Sequence, residues 1–276
     1  AQDILELKSR IAARKMKTRV VAKIEKPEAL RDLDNIIQAA DAIMVARGDL
    51  GVEIAMEKVP VIQKNIVRKA ISYSKPVIIA TQMMESMITN YRPTRAEASD
   101  VANAVFDGAD ALMLSGETSV GAYPVKVVEA MAKIIGIAET EEFIFNKQIP
   151  PIKNSKSFIS DSICYSACTM AQQSGAVGII AMTNSGYTAF RISSQRPRSH
   201  VFIFTDNMEM LTTLNLVWGV RAFHYDRYES SEETITDIKT FLKKRGLVKD
   251  GDLLINVFST PLESRGMANT IKLHVI

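Results

Sequence analysis

The fold is decided by two stretches of sequence, VVAKIE at residues 20–25 and AIMVARGD at residues 42–49. Each is a short apolar run, typical of a buried strand, that ends in charged residues. Parallel strands of an α/β barrel direct their C-terminal ends to one end of the barrel. We therefore expect Lys23, Glu25 and Asp49 to meet at that end.

The strand-to-helix alternation occurs four times between residues 1 and 142. The predicted strands are Thr18–Ile24, Ala42–Ala46, Pro76–Ala80 and Ala111–Leu114. Short apolar strands separated by helices of three or more turns are typical of a parallel sheet with both faces covered. Four such units are half of the eight that close a (β/α)8 barrel. The predicted fold class is α/β, with half of a TIM barrel in the first part of the chain.

The composition changes between residues 143 and 156, where prolines, lysines and small polar residues replace the apolar periodicity. Such a stretch is typical of a linker. After it the alternation of strands and helices resumes with a different spacing. The predicted domains are therefore a partial barrel at 1–142, a linker at 143–156 and a smaller α/β domain at 157–276.

The overall composition argues against nucleic-acid and membrane partners. The 276 residues carry a formal net charge of only +3, without the concentrated basic patch that a nucleic-acid surface needs. No apolar run has spanning length and no signal peptide is evident, so we expect a cytoplasmic protein with no membrane partner. The chain opens at Ala1 inside a helical pattern, which suggests a piece of a longer protein.

The two strand ends carry groups suited to phosphate or enolate chemistry. Glu25 and Asp49 lie one βα unit apart, and two carboxylates on adjacent strand ends suit Mg²⁺. Lys23 faces the same side as Glu25 and is placed to neutralise a phosphoryl group or an enolate oxygen. The backbone N–H groups around Gly48 suit an anion. A structural Lys–Glu pair beside a glycine turn remains the alternative at this point.

Thr81 directly follows the third predicted strand. Its hydroxyl is placed to donate or relay a proton, although a threonine there is also a common helix cap. The Ser115–Thr118 stretch after the fourth strand lacks the lysine of a P-loop and is weak as a nucleotide motif.

Five blocks of the sequence resemble pyruvate kinase in that family's order and spacing. They are KIE at 23–25, MVARGDLG at 44–51, ATQMMESM at 80–87, RPTRAE at 92–97 and MLSGET at 113–118. The resemblance implies that the chain contains strands five to eight of a (β/α)8 barrel, followed by the family's C-terminal regulatory domain.

The resemblance also implies a role for each site residue. Lys23 matches the lysine that stabilises the transferring phosphoryl group and the enolate, and Glu25 and Asp49 match ligands of Mg²⁺ or Mn²⁺. Gly48 and Asp49 match the backbone donors to the phosphoenolpyruvate carboxylate, and Thr81 matches the threonine beside the protonated methylene carbon. The implied glycolytic reaction transfers the phosphoryl group of phosphoenolpyruvate to ADP, giving pyruvate and ATP.

In the second domain the stretch Thr183-Asn184-Ser185-Gly186-Tyr187-Thr188 resembles the family's effector-phosphate loop. Hydroxyl and N–H groups at a helix start suit an anion, with an ordinary capped helix start as the alternative. The implied phosphate-binding residues are Thr183, Asn184, Ser185 and Thr188. The stretch at 259–266 departs from the family pattern and lacks its tryptophan, which leaves the effector open.

The resemblance implies a homotetramer, with Arg95 in a block at a subunit interface. It also implies four earlier strands, a lid domain and a K⁺ site whose ligands are absent from this chain. We therefore expect the chain alone to be inactive. Two other interpretations remain: a Mg²⁺-dependent pyruvate aldolase or lyase, and a non-catalytic module that binds a phosphorylated metabolite.

Overall fold

The computed structural model describes residues 1–227, 231–260 and 266–276. The chain divides into two compact units, Ala1–Ile144 and Phe145–Ile276. The predicted bounds of the linker stay a prediction.

The first unit contains a four-stranded sheet in which all strands are parallel and follow one another in chain order. Its strands are β1 (Val21–Ile24), β2 (Ala42–Ala46), β3 (Val77–Ala80) and β4 (Ala111–Met113). Lys23 is in register with Met44, and Ala46 with Ala80. The carboxyl ends of neighbouring strands therefore lie at one edge, as the sequence predicts.

One helix precedes β1, and helices follow every strand of this sheet. They are α1 (Gln2–Ala13), α2 (Pro27–Arg31), α3 (Leu33–Ala39), α4 (Arg47–Glu53), α5 (Val59–Ser72), α6 (Arg95–Asp107), α7 (Gly116–Ser119) and α8 (Pro124–Ala138). Three short 3-10 helices cover Met56–Lys58, Glu85–Ile88 and Glu142–Ile144. The sequence predicts a single helix from Pro27, at its first position, to Ala40. The structure has two helices there, because the backbone leaves helical geometry at Asp32.

Burial differs between the edge and the centre of this sheet. Every residue of β3 is buried, whereas β1 alternates between exposed and buried positions. Lys23 lies on the exposed side of β1, and Ile24 on the buried side. The edge strand therefore presents its lysine to solvent while the sheet keeps an apolar centre.

The second unit contains a five-stranded sheet in the order β7-β6-β5-β8-β9. Its strands are β5 (Gly178–Met182), β6 (His200–Thr205), β7 (Val220–His224), β8 (Leu253–Phe258) and β9 (Thr270–Val275). Its helices are α9 (Phe158–Ser174), α10 (Tyr187–Ser194), α11 (Met208–Leu214) and α12 (Ser231–Lys244). All strands are parallel except β9, which pairs antiparallel with β8.

Alternate residues of β5 belong to two apolar clusters. Ile179 packs in the cluster that contains Cys164 of α9, and Ile180 packs in the cluster that contains Ile238 of α12. Burial raises the pKa of the Cys164 thiol to about 12, so this cysteine is a packed apolar residue and not a reactive thiolate. Among the described residues, no helix combines the length and the apolarity needed to cross a membrane.

Candidate active site

Side-chain contacts bring the ends of the first three strands of the first unit together. Lys23 of β1 contacts Asp49, which lies two residues beyond the Arg47 that follows β2. The backbone amide of Gly48 in turn donates to the hydroxyl of Thr81, which follows β3. The residues that the sequence places at strand ends therefore form one continuous cluster, from Lys23 to Thr81.

The ammonium of Lys23 lies between two carboxylates. Its Nζ is 2.8 Å from Oδ2 of Asp49 and forms an ion pair with Oε2 of Glu25. The hydrogen bond to Asp49 and, after it, the contact with Glu25 raise the pKa of Lys23, and the hydrogen bond from Lys23 lowers the pKa of Asp49. The cation and the Asp49 carboxylate are therefore charged at neutral pH, and the Asp49 side chain, 58% exposed, remains open to solvent.

The donor set of this cluster fits a hard divalent cation. Oε2 of Glu25 is buried and has no hydrogen-bond partner of suitable alignment in the described chain, although the Lys23 ammonium lies against it. Such an oxygen retains capacity for a cation. The described residues contain no group of three or more His, Cys, Asp or Glu side chains arranged around a metal position. Two carboxylates suit Mg²⁺, which keeps several water or substrate oxygens.

Thr81 adopts an uncommon backbone conformation at the end of β3. Its φ is +69°, and that of Gln82 is +53°, both in the left-handed region that β-branched residues rarely adopt. The Thr81 hydroxyl donates to the carbonyl of Ala80 at 2.6 Å and accepts from the amide of Gly48 at 2.8 Å. A Cβ at position 48 would lie 3.3 Å from this hydroxyl oxygen, so the close approach favours glycine.

Arg47 holds this strained turn in place. Its Nη2 donates to the carbonyls of Thr81 at 2.8 Å and Gln82 at 3.1 Å. Its Nη1 lies 2.7 and 2.6 Å from the two carboxylate oxygens of Asp100 on α6. Strained conformations persist where surrounding contacts fix them, and the guanidinium supplies such contacts here. Arg47 is therefore a positioning residue for Thr81.

Sequence analysis missed Arg47 and Asp100. It interpreted the residues after β2 as an anion-binding group of backbone amides or a glycine turn, whereas they form helix α4, Arg47–Glu53. A signal was present, because Arg47 directly follows a buried strand much as Lys23 stands at the end of another. Asp100 lies within an amphipathic helix, where an acidic residue carries no distinguishing pattern.

Glu117 is a third residue whose role the sequence did not show. It is buried, and its two carboxylate oxygens accept from the backbone amides of Met84 at 3.2 Å and Ser115 at 2.7 Å. The Ser115–Thr118 stretch, considered above as a weak nucleotide motif, thus uses its glutamate to tie the segment after β3 to the end of β4. This contact adds a second support to the turn at Thr81.

Gly48 and Asp49 lie in the first turn of α4, where backbone N–H groups lack partners within the helix. The Gly48 amide donates to the Thr81 hydroxyl in this structure. Binding of a carboxylate by this amide therefore requires the hydroxyl of Thr81 to move aside. The assignment of both amides as substrate donors stays a prediction.

The predicted effector loop lies in the second unit, between β5 and α10. Asn184 and Ser185 are exposed, Thr183 is half-buried, and Thr188 is buried within α10. The Thr183 hydroxyl accepts from the amide of Gly186 at 3.0 Å, as in an ordinary capped turn. Residues 261–265, in the stretch that departs from the family pattern, lie outside the described residues. Phosphate binding by this loop stays a prediction.

Comparisons with known proteins identify both units. The family model described as pyruvate kinase, barrel domain, matches residues 1–128, and the one described as pyruvate kinase, alpha/beta domain, matches residues 161–274. A pyruvate kinase of Geobacillus stearothermophilus is 41% identical over 279 residues, covering 100% of this chain and 47% of the relative. A pyruvate kinase of Clostridium acetobutylicum is 43% identical over 258 residues, covering 93% of this chain and 54% of the relative.

A solved structure agrees with these sequence matches. The crystal structure of a pyruvate kinase from Cryptosporidium parvum superposes with a TM-score of 0.86 at 36% identity, covering 94% of this chain and 52% of that chain. The chain spans about half the length of the curated relatives that it matches. The predicted fold class, part of a barrel followed by a second α/β domain, is confirmed. The chain belongs to the pyruvate kinase family.

Proposed function

We propose that this chain supplies the Lys23 side of an active site that transfers the phosphoryl group of phosphoenolpyruvate to ADP, giving pyruvate and ATP in glycolysis. The observation that carries the proposal is the cluster in which Lys23 contacts both Glu25 and Asp49, beside Thr81. A cation among carboxylates at strand ends suits a reaction in which negative charge moves between oxygens.

Each residue of the cluster has a defined part in this reaction. Lys23 neutralises charge on the transferring phosphoryl group and on the enolate oxygen that it leaves. Glu25 and Asp49 hold Mg²⁺ or Mn²⁺, which supplies charge neutralisation and orientation to the phosphates. Thr81 assists protonation of the methylene carbon. The backbone amides of Gly48 and Asp49 orient the substrate carboxylate.

The family relationship supports further proposals about the assembly. The complete protein is a cytoplasmic homotetramer that also needs K⁺, whose ligands lie outside this chain. Residues 1–142 belong to its catalytic barrel, 143–156 to a linker and 157–276 to a regulatory domain. A phosphorylated effector binds that domain at Thr183, Asn184, Ser185 and Thr188.

We further propose that this chain alone is inactive, because the resemblance assigns part of the phosphoryl clamp to strands that its sequence does not include. The test is a coupled pyruvate-release assay with Mg²⁺, K⁺, phosphoenolpyruvate and ADP. We expect no turnover from the chain alone. Turnover near that of a complete relative would contradict the proposal.

A second experiment supplies the first four strands of the barrel. The first half of the barrel of the Geobacillus stearothermophilus relative is co-expressed with this chain and the complex is assayed. We expect the complex to be active and Lys23→Met to abolish this activity. Lys26→Met removes a neighbouring exposed charge and should leave the activity within about twofold of the unmodified complex. Activity that survives Lys23→Met would contradict the assigned role.

A further inference from the structure

The ammonium of Lys23 contacts the same two carboxylates that are proposed to hold the divalent cation. We infer that Lys23 is a tethered counter-ion, which a divalent cation must displace before both carboxylates can bind it. Metal binding then releases the ammonium toward the substrate. This inference rests on the proposed metal site at Glu25 and Asp49.

Competition for oxygen atoms supports the inference. Nζ of Lys23 is 2.8 Å from Oδ2 of Asp49 and also forms an ion pair with Oε2 of Glu25. Mg²⁺ binds carboxylate oxygens at about 2.0–2.1 Å. An ammonium and a divalent ion that use the same oxygens would stand close together with like charges, so they exclude one another.

The charges favour displacement of the Lys23 ammonium by a divalent cation. Without a cation, two carboxylates at adjacent strand ends repel each other, and the Lys23 ammonium offsets that repulsion. A divalent ion attracts each carboxylate about twice as strongly as the ammonium does at equal distance. The lysine therefore stabilises the metal-free cluster and gives way when the metal arrives.

The position of Lys23 allows it to move. It lies on the exposed side of edge strand β1, and its side chain is 49% exposed. Its flexible stem swings away without disturbing the buried Ile24. The released ammonium stays tethered beside the metal, which couples metal occupancy to a free cation for an anionic substrate.

The test measures binding of Mn²⁺ alone to the purified chain, by electron paramagnetic resonance of the free ion. The inference predicts that Lys23→Met binds Mn²⁺ about three- to tenfold more tightly than the unmodified chain, because the competitor is gone. Lys26→Met, which removes an equal charge from an exposed side chain three residues along, is the matched control and stays within about twofold.

The outcomes separate this inference from the proposed function. Glu25→Gln should weaken Mn²⁺ binding at least about tenfold if the metal site exists. If it does so while Lys23→Met leaves the affinity unchanged or lower, the counter-ion inference is overturned and the metal site stands. If Glu25→Gln has no effect, the metal site and the inference both fail.

Discussion

Arg47 connects three residues that no sequence pattern links. Its guanidinium spans the carbonyls of Thr81 and Gln82 on one side and the carboxylate of Asp100 on the other. The Arg47 side chain is only 11% exposed, so its charge depends on Asp100 for compensation. The Arg47–Asp100 ion pair thus fixes the guanidinium that holds Thr81 in its left-handed conformation.

Removal of this guanidinium should destabilise the first unit. We expect Arg47→Met to lower the free energy of unfolding by about 2–3 kcal/mol, because it leaves the carboxylate of Asp100 and two carbonyls without their donor. Urea unfolding measures this change. Faster hydrogen exchange at the Gly48 amide, which donates to Thr81, should accompany it.

Arg68→Met is the control for this experiment, since Arg68 bonds to Asn65 on an exposed helix face. It should change the stability by less than about 0.5 kcal/mol. A similarly small effect of Arg47→Met, with unchanged protection at Gly48, would contradict the positioning role.

The residues that the sequence did predict share one property. Lys23, Glu25 and Asp49 are charged groups at the ends of apolar strands, and strand alternation alone places them at one edge of the sheet. Arg47 has the same signal, but its partners are two backbone carbonyls and a helical aspartate. Backbone acceptors carry no sequence signature, so the role of Arg47 is visible only in the structure.

At the scale of elements, the sequence predicts best where local chemistry fixes a boundary. Helix α6 begins after Thr94, whose hydroxyl accepts from the amide of Glu97 in a capping box, and ends at Gly108 with φ +97°. Helix α4 has no such cap and contains two glycines, which disfavour a helix. The sequence pattern predicts a helix from Thr94 to Phe106, within one residue of α6 at each end, but it predicts no helix where α4 lies.

The opposite end of the sheet from the candidate site depends on Asp41, which precedes β2. Its carboxylate accepts from the Val20 amide at 2.8 Å and from Lys8 at 2.9 Å. Burial by itself raises the pKa of Asp41, but the Val20 hydrogen bond and the cations Lys8 and Arg19 outweigh it, and the pKa lies below 3.8. The folded state therefore favours the charged form.

This shift gives a stability contribution with a defined sign. Because the pKa is lower in the folded state, the stabilisation is complete above 3.8 and is lost as the pH falls through the folded value. We expect Asp41→Asn to cost about 1–2 kcal/mol at pH 7, measured by urea unfolding, and the difference to shrink below pH 3.8. Glu53→Gln, at an exposed position, should show no such convergence. A difference that grows toward acid pH would refute the assignment.

At the scale of the whole chain, composition predicts a linker without showing what each of its residues contacts. Residues 143–156 read as a linker because prolines and lysines replace a periodic apolar pattern. The amides of Asn146 and Lys147 nevertheless donate to the carbonyls of Arg196 and Gln195. Loss of periodicity reports the absence of a helix or an inner strand, and it does not report the absence of tertiary contacts.

Gln195 is the residue that fastens this segment to the second unit. It is buried, its Oε1 accepts from the amide of Ile149 at 2.9 Å, and its Nε2 donates to the carbonyl of Ile149 at 2.7 Å. One side chain thereby satisfies both backbone groups of Ile149, as a neighbouring strand would. Trypsin should therefore cut the unmodified chain after Lys153 and Lys156 before it cuts after Lys147.

Gln195→Met should change that order of cleavage. Methionine fills a similar volume but offers Ile149 no amide group, and each backbone group left without a partner costs about 1–3 kcal/mol. The segment then opens more often, and cleavage after Lys147 should accelerate at least about fivefold relative to cleavage after Lys153, since 1 kcal/mol is about a factor of five. Mass spectrometry of a timed digest measures both rates within one sample. Gln173→Met, on the exposed face of α9, is the control and should leave the order of cleavage unchanged. Equal rates of cleavage after Lys147 and Lys153 in the unmodified chain would contradict the prediction and show that residues 145–149 are a free linker.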